Sequence, residues 1–422
     1  MAKITLGVSQ IMKNEAHILP RWYETFSKLK DKNGDQVVDC VTLVDTGSTD
    51  ESIKVAKEMG EKYNIPTYVY ERPFDDFSSS RNYAIKMAKD KTNYSFWCYL
   101  DEILHIQSNV FDKQKLDKGL YMFTTRINST EYTRNELWSN KLPDYIDENG
   151  KSVSLYDEKG EGNGYFKWIG PIHEYIVPDS QAVAEKLTSG LAEGVLVEVR
   201  FDGASWADPN KLHKKYKDHA VKLEDYIDNV DRDPRWVFYT AQSYHDSSTI
   251  PNNKIENDER LRRSMKYYQE RVDMEGGYPE ERYYAQYRIG TIMRTLEYPW
   301  RDCKEALLKA YNIDPMRGES IRAIVEHYQA TNEWNLSYLY SKMCVNTFHN
   351  MNPYPQRILF VDNPLYQWKS LELHANSCFY TGRVDECKKV FNDLLIIMRT
   401  KPQFFTPEDT QRINSNKPHI LK

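Results

Sequence analysis

The sequence lacks the cysteine spacing that marks disulfide-rich proteins and common metal sites. Its six cysteines are scattered among 422 residues, and no two of them stand as C-x-x-C. Zinc and redox motifs depend on such close pairs, so the pattern supports neither. We therefore expect buried, reduced thiols in a protein of a reducing compartment.

Signals for export and membrane insertion are also missing. The first ten residues, MAKITLGVSQ, contain no basic head, long apolar stretch or cleavage site of a secretory signal. No apolar run of the sequence is long enough to cross a bilayer. These absences predict a cytoplasmic protein without a membrane partner.

The chain carries no strong charge of either sign. Its formal net charge is -5 at pH 7, so no global basic field points to nucleic acid. Hydrophobic residues make up 40% and charged residues 28%, which is typical of globular proteins. The motifs G-x-S-x-G, H-E-x-x-H and the P-loop are absent, so the hydrolase, zinc-protease and P-loop classes have no support.

The first hundred residues alternate strand and helix patterns. Apolar, β-branched runs predict strands at 4–11, 36–45, 67–71 and 94–100, and helical spacing predicts helices at 15–30, 50–63 and 78–90. Further strands are expected at 119–126, 164–170 and 194–201. Such alternation implies right-handed crossovers and a mostly parallel, Rossmann-like sheet, which is an α/β fold.

Beyond residue 205 the strand patterns largely stop and helical hairpins follow. The segment 283–315 has small residues where two packed helices need them, at Gly290, Ala306 and Ala310. It resembles a tetratricopeptide repeat, whose unit is ~34 residues long. Looser copies lie at 233–246, 318–344 and 366–395, and an irregular helical bundle is the alternative. We predict an α/β domain over 1–205 and an all-α domain over 206–422.

Polar clusters follow the predicted strands of the α/β domain. They are KNE at 13–15, DTGSTD at 45–50, FDDFSSSRN at 74–82 and LDE at 100–102. In open α/β sheets, ligands bind beyond the carboxyl ends of the strands, so these clusters are expected to form one site. Gly47 permits a tight turn there, and Ser48 with Glu51 fits a capping box that would start a helix.

Together with IHE at 172–174, these motifs resemble the inverting GT-A glycosyltransferases of the large family 2 group. The resemblance is to the branch with helical-repeat extensions, which includes bacterial peptide S-glycosyltransferases, and it covers roughly residues 4–200. Two departures are visible. Relatives have D-A-D-E where this chain has only Asp101-Glu102, and they often have H-x-G where it has Phe201-Asp202-Gly203.

The resemblance implies a nucleotide-sugar donor, here expected to be a UDP-sugar. Asp45 would bind the base or the ribose, and Lys13 or Asn14 would line the same end beside Gly47. A carboxylate suits this role because it accepts hydrogen bonds from ring N–H groups and hydroxyls. Arg81 would reach the pyrophosphate, which suits a guanidinium; an ordinary surface arginine is the alternative.

The resemblance also implies a divalent metal, Mn²⁺ or Mg²⁺, and a catalytic base. Asp101 is the predicted metal ligand with Glu102 as helper, and His173 is a further candidate ligand. Glu174 is the predicted catalytic base, and Asp101 and Glu102 are the alternative candidates for that role. An acid pair that only caps the next segment, and a structural histidine, are the competing interpretations.

The leading functional hypothesis is therefore sugar transfer to an unidentified peptide, glycan or nucleic acid. The helical domain would shape the acceptor site, and it is also a candidate surface for homodimer formation. One alternative is a non-catalytic helical-repeat scaffold with a decayed transferase domain. Another is a glycosyltransferase that acts on nucleic acid bases, for which the basic and aromatic stretches 210–219 and 260–268 would contact phosphates.

Overall fold

The computed structural model describes residues 3–127, 130–203, 211–352 and 359–421. Its internal contacts divide the chain into two compact units, Met1–Leu212 and His213–Lys422. The border predicted between residues 205 and 206 lies outside the described residues. The predicted domain limits therefore remain a prediction.

The first unit combines a large sheet with short flanking elements. Its strands are β1 Leu6–Met12, β2 Cys40–Asp45, β3 Thr67–Glu71, β4 Tyr94–Phe96, β5 Glu102–Ile106, β6 Leu120–Ile127, β7 Thr130–Ser139, β8 Tyr145–Ile146, β9 Ser152–Val153, β10 Phe166–Ile169, β11 Tyr175–Pro178 and β12 Ser189–Val199. Its helices are α1 Leu19–Lys28, α2 Ser52–Tyr63, α3 Phe77–Ala88 and α4 Gln181–Lys186.

Eight strands form one mixed sheet in the order β3-β2-β1-β4-β7-β6-β12-β5. The first four are parallel to one another, as crossovers through α1, α2 and α3 require. Strand β7 runs antiparallel to both β4 and β6, while β12 is parallel to β6 and antiparallel to β5. Strands β10 and β11 pair separately, as do β8 and β9.

The sheet is covered on both faces, and β2 shows why. All six of its residues are buried, as its continuous apolar sequence predicts. Leu43 belongs to the apolar cluster that contains Phe26 of α1, whereas Val44 belongs to the cluster that contains Ile85 of α3. Because successive strand side chains point to opposite faces, one strand serves both cores.

Several strands differ from the sequence-based expectation. The fourth strand ends at Phe96 rather than at residue 100, and β5, β7, β8, β9 and β11 were not predicted. The sequence of β7 is TEYTRNELWS, and its charged and polar residues obscure the apolar pattern. Its partner β4 is nevertheless buried throughout, and the Trp97 amide still donates to the Glu136 carbonyl at 2.8 Å. The position of β7 in the sheet therefore depends on its pairing with β4 and β6, which the sequence of β7 alone does not indicate.

The second unit is built from helices. They are α5 Leu212–Asn229, α6 Pro234–Asp246, α7 Lys254–Asp273, α8 Pro279–Thr295, α9 Trp300–Ile313, α10 Glu319–Ala330, α11 Trp334–Phe348, α12 Ser370–Tyr380, α13 Val384–Thr400 and α14 Pro407–Ile420. Consecutive helices pack together as α6 with α7, α8 with α9, α10 with α11, and α12 with α13. The predicted fold class, an α/β unit followed by helical hairpins, is confirmed.

Two predictions about composition also have structural counterparts. All six cysteines are buried free thiols, as expected from their scattered spacing. Within the described ranges, none of the helices combines the length and the apolar character that crossing a bilayer requires.

The hairpin of α8 and α9 depends on the small residue Gly290. A Cβ atom added there would lie 2.7 Å from Cγ of Leu307, which is buried in α9. Ala306 and Ala310 are buried on α9 as well, so small residues let the two helices approach closely. The predicted packing role of these three positions is confirmed.

We expect Gly290→Ala to lower the stability of the helical unit by about 1–3 kcal/mol, because overpacking outweighs the gain in helix propensity. Chemical denaturation followed by circular dichroism would measure the change. Thr295→Ala, at an exposed position of the same helix, is the matched control and should change stability by less than ~0.5 kcal/mol. Equal stability of Gly290→Ala and the native chain would contradict the packing argument.

Candidate functional site

Three of the predicted site segments follow adjacent parallel strands. In the register, Met12 at the end of β1 pairs with Asp45 at the end of β2, and Val8 pairs with Phe96 of β4. Because β1 lies between β2 and β4, the chain after each strand emerges at one edge of the sheet. The edge therefore carries the KNE, DTGSTD and LDE segments, as the sequence predicts.

The DTGSTD turn is organised around the Asp45 carboxylate, which is 3% exposed. Its Oδ1 accepts hydrogen bonds from the Gly47 and Ser48 amides at 3.0 and 2.9 Å. Gly47 has a φ of 105°, a left-handed conformation that favours glycine. The buried Oδ2 has no hydrogen-bond partner among the described residues. A buried carboxylate oxygen of this kind calls for an N–H or O–H donor.

The KNE segment is tied directly to this turn. The Asn14 amide donates to Ser48 Oγ at 2.9 Å, and Asn14 Oδ1 accepts from the Thr49 amide at 2.7 Å. The Glu15 amide donates to Ser52 Oγ at 2.8 Å. Two segments 30 residues apart in the chain thus form one hydrogen-bonded surface, with the exposed Lys13 beside it.

The predicted capping box of Ser48 and Glu51 is wrong. Helix α2 begins at Ser52, and Glu51 stands at its N-cap without a side-chain capping bond. The Ser48 hydroxyl instead accepts the Asn14 amide, and Asp50 Oδ1 accepts the Ser52 amide at 3.0 Å. The N-cap is therefore three residues later than the capping box predicts, at Glu51 instead of Ser48, and polar groups of the turn bind the neighbouring loop.

Arg81 and Glu174, two predicted site residues, form a buried ion pair. Arg81 Nη2 contacts Glu174 Oε1, and each side chain is 5% exposed. The guanidinium carbon also lies 4.6 Å from the ring centroid of Trp97, 5.0 Å from that of Tyr99 and 4.7 Å from that of Trp168. Arg81 is therefore held in an aromatic box, and the surface interpretation of this arginine is wrong.

The neighbouring Asn82 fixes α3 against β10. Its Nδ2 donates to the Trp168 carbonyl at 2.9 Å, and its Oδ1 accepts the Trp168 amide at 2.7 Å. The side chain thus replaces a strand partner for one residue of β10. Glu174 follows β10 in the chain. The two hydrogen bonds of Asn82 therefore help to position Glu174 relative to Arg81 on α3.

Glu102 belongs to a second buried ion cluster, with Arg134 and Glu136. Arg134 Nη2 lies 2.7 Å from Glu102 Oε1, and its Nε lies 2.8 Å from Glu136 Oε1. The other Glu102 oxygen accepts the Tyr99 amide at 2.8 Å. Both carboxylate oxygens of Glu102 are therefore bonded within the fold.

The sequence analysis missed Arg134 and Glu136. Both lie on β7, one of the unpredicted strands, whose pairing with β6 shifts register beside Glu136, between the pairs Tyr121–Leu137 and Met122–Asn135. Burial raises the pKa of Glu136 to about 7, against the charge of Arg134, and the nearby Glu102 raises it further while Arg81 lowers it. The register shift beside Glu136 interrupts the strand alternation, and the charged residues of β7 further obscured its apolar pattern.

Asp101 lies at the same edge, next to the segment that follows β12. Its carbonyl accepts the Arg200 amide at 2.9 Å, and a Cβ atom at Gly203 would come within 3.2 Å of the Asp101 Cβ. Asp202 forms a two-point ion pair with Arg21 of α1, and its carbonyl lies 3.4 Å from His17 Nε2. The hydrogen bond from Arg21 lowers the pKa of Asp202.

The segment 201–203 therefore carries an acid that is paired with an arginine of α1. His173 is exposed and has a φ of 57°, directly before Glu174. In the part of the chain that the structure describes, no group of three His, Cys, Asp or Glu ligand atoms converges at Asp101. Mg²⁺ sites often use one or two protein carboxylates plus substrate phosphates, so such a site does not require three protein ligands.

Comparison with known proteins finds likeness only at the level of structure. No protein-family model matches the chain, and no curated protein matches it. Mannosyltransferase PcManGT from Pyrobaculum calidifontis, solved with GDP-Man and Mn²⁺, has a TM-score of 0.35 at 11% identity, covering 74% of this chain and 86% of that chain. S. aureus TarS 1-349, solved with UDP-GlcNAc, has a TM-score of 0.29 at 11% identity, covering 73% and 89%.

Yeast Tom70 has a TM-score of 0.35 at 12% identity, covering 51% of this chain and 38% of Tom70. At such low identities and TM-scores, none of these likenesses assigns a function to the chain. The functional argument therefore depends on the geometry of the site.

We expect Glu174→Gln to destabilise the α/β unit by about 3–5 kcal/mol, because it leaves the Arg81 guanidinium buried without its counter-charge. Urea denaturation monitored by tryptophan fluorescence would measure the loss. The control is Glu51→Gln, which removes an exposed pair with Lys54 and should cost less than ~1 kcal/mol. A Glu174→Gln loss no larger than this control would show that the pair is unimportant for stability.

Glu136 should make stability depend on pH. Its folded-state pKa, about 7, exceeds the ordinary value of 4.5, so the folded protein binds a proton that the unfolded chain has released. Folding stability should therefore fall as pH rises from about 4.5 to about 7, by at most ~1.4 kcal/mol per pH unit. Glu136→Gln should flatten this part of the profile in denaturation experiments.

Glu131→Gln, at an exposed position of the same strand, should leave the profile unchanged. If Glu136→Gln kept the native slope between these pH values, another group would be responsible for it.

Proposed function

We propose that the α/β unit is a GT-A glycosyltransferase that transfers a sugar from a nucleotide diphosphate donor, most simply a UDP-sugar. The observation that carries this proposal is the Asp45 carboxylate at the carboxyl end of β2. One oxygen is held by the Gly47 and Ser48 amides, and the other is buried without a partner among the described residues. The uracil N–H or a ribose hydroxyl supplies the donor that this oxygen needs.

In this proposal the neighbouring segments hold the rest of the donor. Asn14 and Gly47 shape the wall beside Asp45, and Lys13 offers an exposed positive charge for the phosphates. Asp101, on the other side of β1, is the ligand for Mn²⁺ or Mg²⁺, with His173 as a second candidate. When bound, such an ion neutralises the diphosphate as it leaves.

The acceptor side is assigned to Glu174. In an inverting transfer, the acceptor nucleophile forms a bond to sugar C1 as the C1–phosphate oxygen bond breaks, and a base removes the acceptor proton. We assign that base to Glu174, with Arg81 as the residue that positions it. Arg81 was expected at the pyrophosphate, but its contact with Glu174 favours the positioning role.

Glu102 receives a different role from the one expected of it. Because both of its oxygens are bonded to Arg134 and the Tyr99 amide, we propose that it supports the loop that carries Asp101. Of the two acids in the shortened motif, only Asp101 is then the proposed metal ligand. The second acid is part of the scaffold.

The acceptor remains open among peptide, glycan and nucleic acid. The nucleic-acid alternative gains no support from the stretch 260–268, since Tyr267 and Tyr268 are buried in α7 and their hydroxyls bond to Glu224 and Gln242. Buried rings are not available for stacking on bases. The helical unit remains our candidate for acceptor binding or homodimer formation.

A panel of UDP- and GDP-sugars should test the donor site by thermal shift, with and without Mn²⁺. We expect a UDP-sugar to raise the melting temperature in the presence of Mn²⁺ and to be hydrolysed slowly. Asp45→Asn should weaken the shift with or without metal, because it alters the nucleotide contact. Asp101→Asn should remove the part of the shift that depends on Mn²⁺.

The matched control is Asp90→Asn, at an exposed position after α3 on the opposite edge of the sheet, and it should bind like the native protein. No shift with any sugar nucleotide would overturn the proposal and would favour the non-catalytic scaffold. A shift that Asp45→Asn and Asp90→Asn preserve equally would place the donor elsewhere.

A further inference from the structure

Three metal-ligating side chains meet between the helices α12 and α13. His374 and Cys378 lie one turn apart on α12, and Glu386 lies in the first turn of α13. Their ligand atoms are all within 4.8 Å of one another. His374 and Cys378 are 2% and 0% exposed, so the cluster is largely shielded from solvent.

Two of the three distances within this cluster match those of a tetrahedral zinc site. Zinc bonds of about 2.3 Å to sulfur and about 2.0–2.1 Å to nitrogen and oxygen imply separations of about 3.6 Å between S and N and about 3.3 Å between N and O. In this cluster Cys378 Sγ is 3.6 Å from His374 Nε2, and Nε2 is 3.2 Å from Glu386 Oε1.

The hydrogen bonds around the histidine favour a cation at the centre. Ser341 Oγ donates to the Tyr338 carbonyl at 3.2 Å, and it lies 3.0 Å from His374 Nδ1. With its proton used in this way, Ser341 accepts a hydrogen bond from Nδ1–H. The Nε2 atom of a neutral imidazole then presents a lone pair to the carboxylate of Glu386. With this assignment of the protons, two acceptors face each other at 3.2 Å, and a positive ion bonded to both would remove their repulsion.

The outer atoms of two ligands are also held in place. His374 Nδ1 is bonded to Ser341, and Glu386 Oε2 accepts the Tyr338 hydroxyl at 2.9 Å. Partners of this kind fix the tautomer of a ligating histidine and the orientation of a ligating carboxylate. The side chains are therefore oriented before any ion arrives.

We propose that His374, Cys378 and Glu386 form a binding site for a divalent transition metal, with Zn²⁺ as the favoured ion. The mixture of thiolate, imidazole and carboxylate suits zinc better than Mg²⁺ or Ca²⁺, which prefer oxygen ligands. On binding, the Cys378 thiol forms a sulfur–metal bond and releases its proton to solvent. A fourth ligand completes the tetrahedron from solvent, and the ion joins α12 to α13.

Lys342 opposes the ion in this arrangement. Its Nζ lies 3.3 Å from Glu386 Oε1, the oxygen that faces the other ligands, and its side chain is 46% exposed. Like charges at this range repel. Lys342→Met should therefore bind metal several-fold more tightly, whereas loss of a ligand should weaken binding.

Cobalt titration of the full-length, reduced protein would test the site. We expect one equivalent of Co²⁺ to produce a thiolate-to-cobalt charge-transfer band, and stoichiometric Zn²⁺ to abolish it. Cys378→Ser should lose the band, and His374→Gln should bind at least ~10-fold more weakly. The matched control is Cys387→Ser on α13, whose thiol is equally buried but bonds to the Ala375 carbonyl at 3.3 Å; it should retain the band.

Three results would overturn the proposal. They are a native protein that gives no thiolate band with Co²⁺, a Cys378→Ser variant that binds like the native protein, and a Cys387→Ser variant that loses the band while remaining folded. The absence of a thiolate band in the native protein would favour a charged His374 that donates a hydrogen bond to Glu386 without a metal. Circular dichroism would establish folding, and the native and Lys342→Met proteins decide the question if the ligand variants do not fold.

Discussion

The buried ion pair of Arg81 and Glu174 is the contact on which the geometry of the candidate site depends. A guanidinium removed from water needs its counter-charge, since an unpaired buried charge costs several kcal/mol. The aromatic rings of Trp97, Tyr99 and Trp168 surround Arg81 and favour the cation over their faces. The pair therefore holds α3, the chain after β4 and the chain after β10 in one arrangement.

The second ion cluster extends this arrangement across the sheet. The ring of Tyr99 lies 5.0 Å from the Arg81 guanidinium and 5.6 Å from that of Arg134, and Arg134 binds both Glu102 and Glu136. Two arginines and three glutamates thus alternate through a largely buried region. Such networks stabilise a particular arrangement only when every charge is matched, which makes them sensitive to single substitutions.

Different interactions are prominent in the two units. In the α/β unit, polar groups at strand ends bond to one another and leave one buried Asp45 oxygen without a hydrogen-bond partner among the described residues. In the helical unit, close approach at Gly290 and a convergence of ligands at His374 connect successive helices. The first arrangement suits binding at an edge, and the second suits a stable series of hairpins.

Much of the fold follows from local patterns in the sequence. Alternating apolar strands and helices predicted the first four parallel strands, because a continuous apolar run such as β2 is stable only when covered on both faces. Small residues at Gly290, Ala306 and Ala310 predicted the hairpin of α8 and α9. Strand-end motifs also indicated which segments meet at the edge, since the carboxyl ends of parallel strands share it.

Only the tertiary structure decided how the charged residues of the site are matched. Strand β7 carries Arg134 and Glu136, and its charges hid it from a pattern based on hydrophobicity. The pairing of Arg81 with Glu174 and of Glu102 with Arg134 depends on contacts between segments tens of residues apart. The contact of His374 with Glu386 likewise joins two separate helices. The sequence indicated the first four parallel strands and the helical hairpins, because propensity and apolar periodicity are local properties. It did not determine which charges pair, because pairing depends on distances that exist only after the chain has packed.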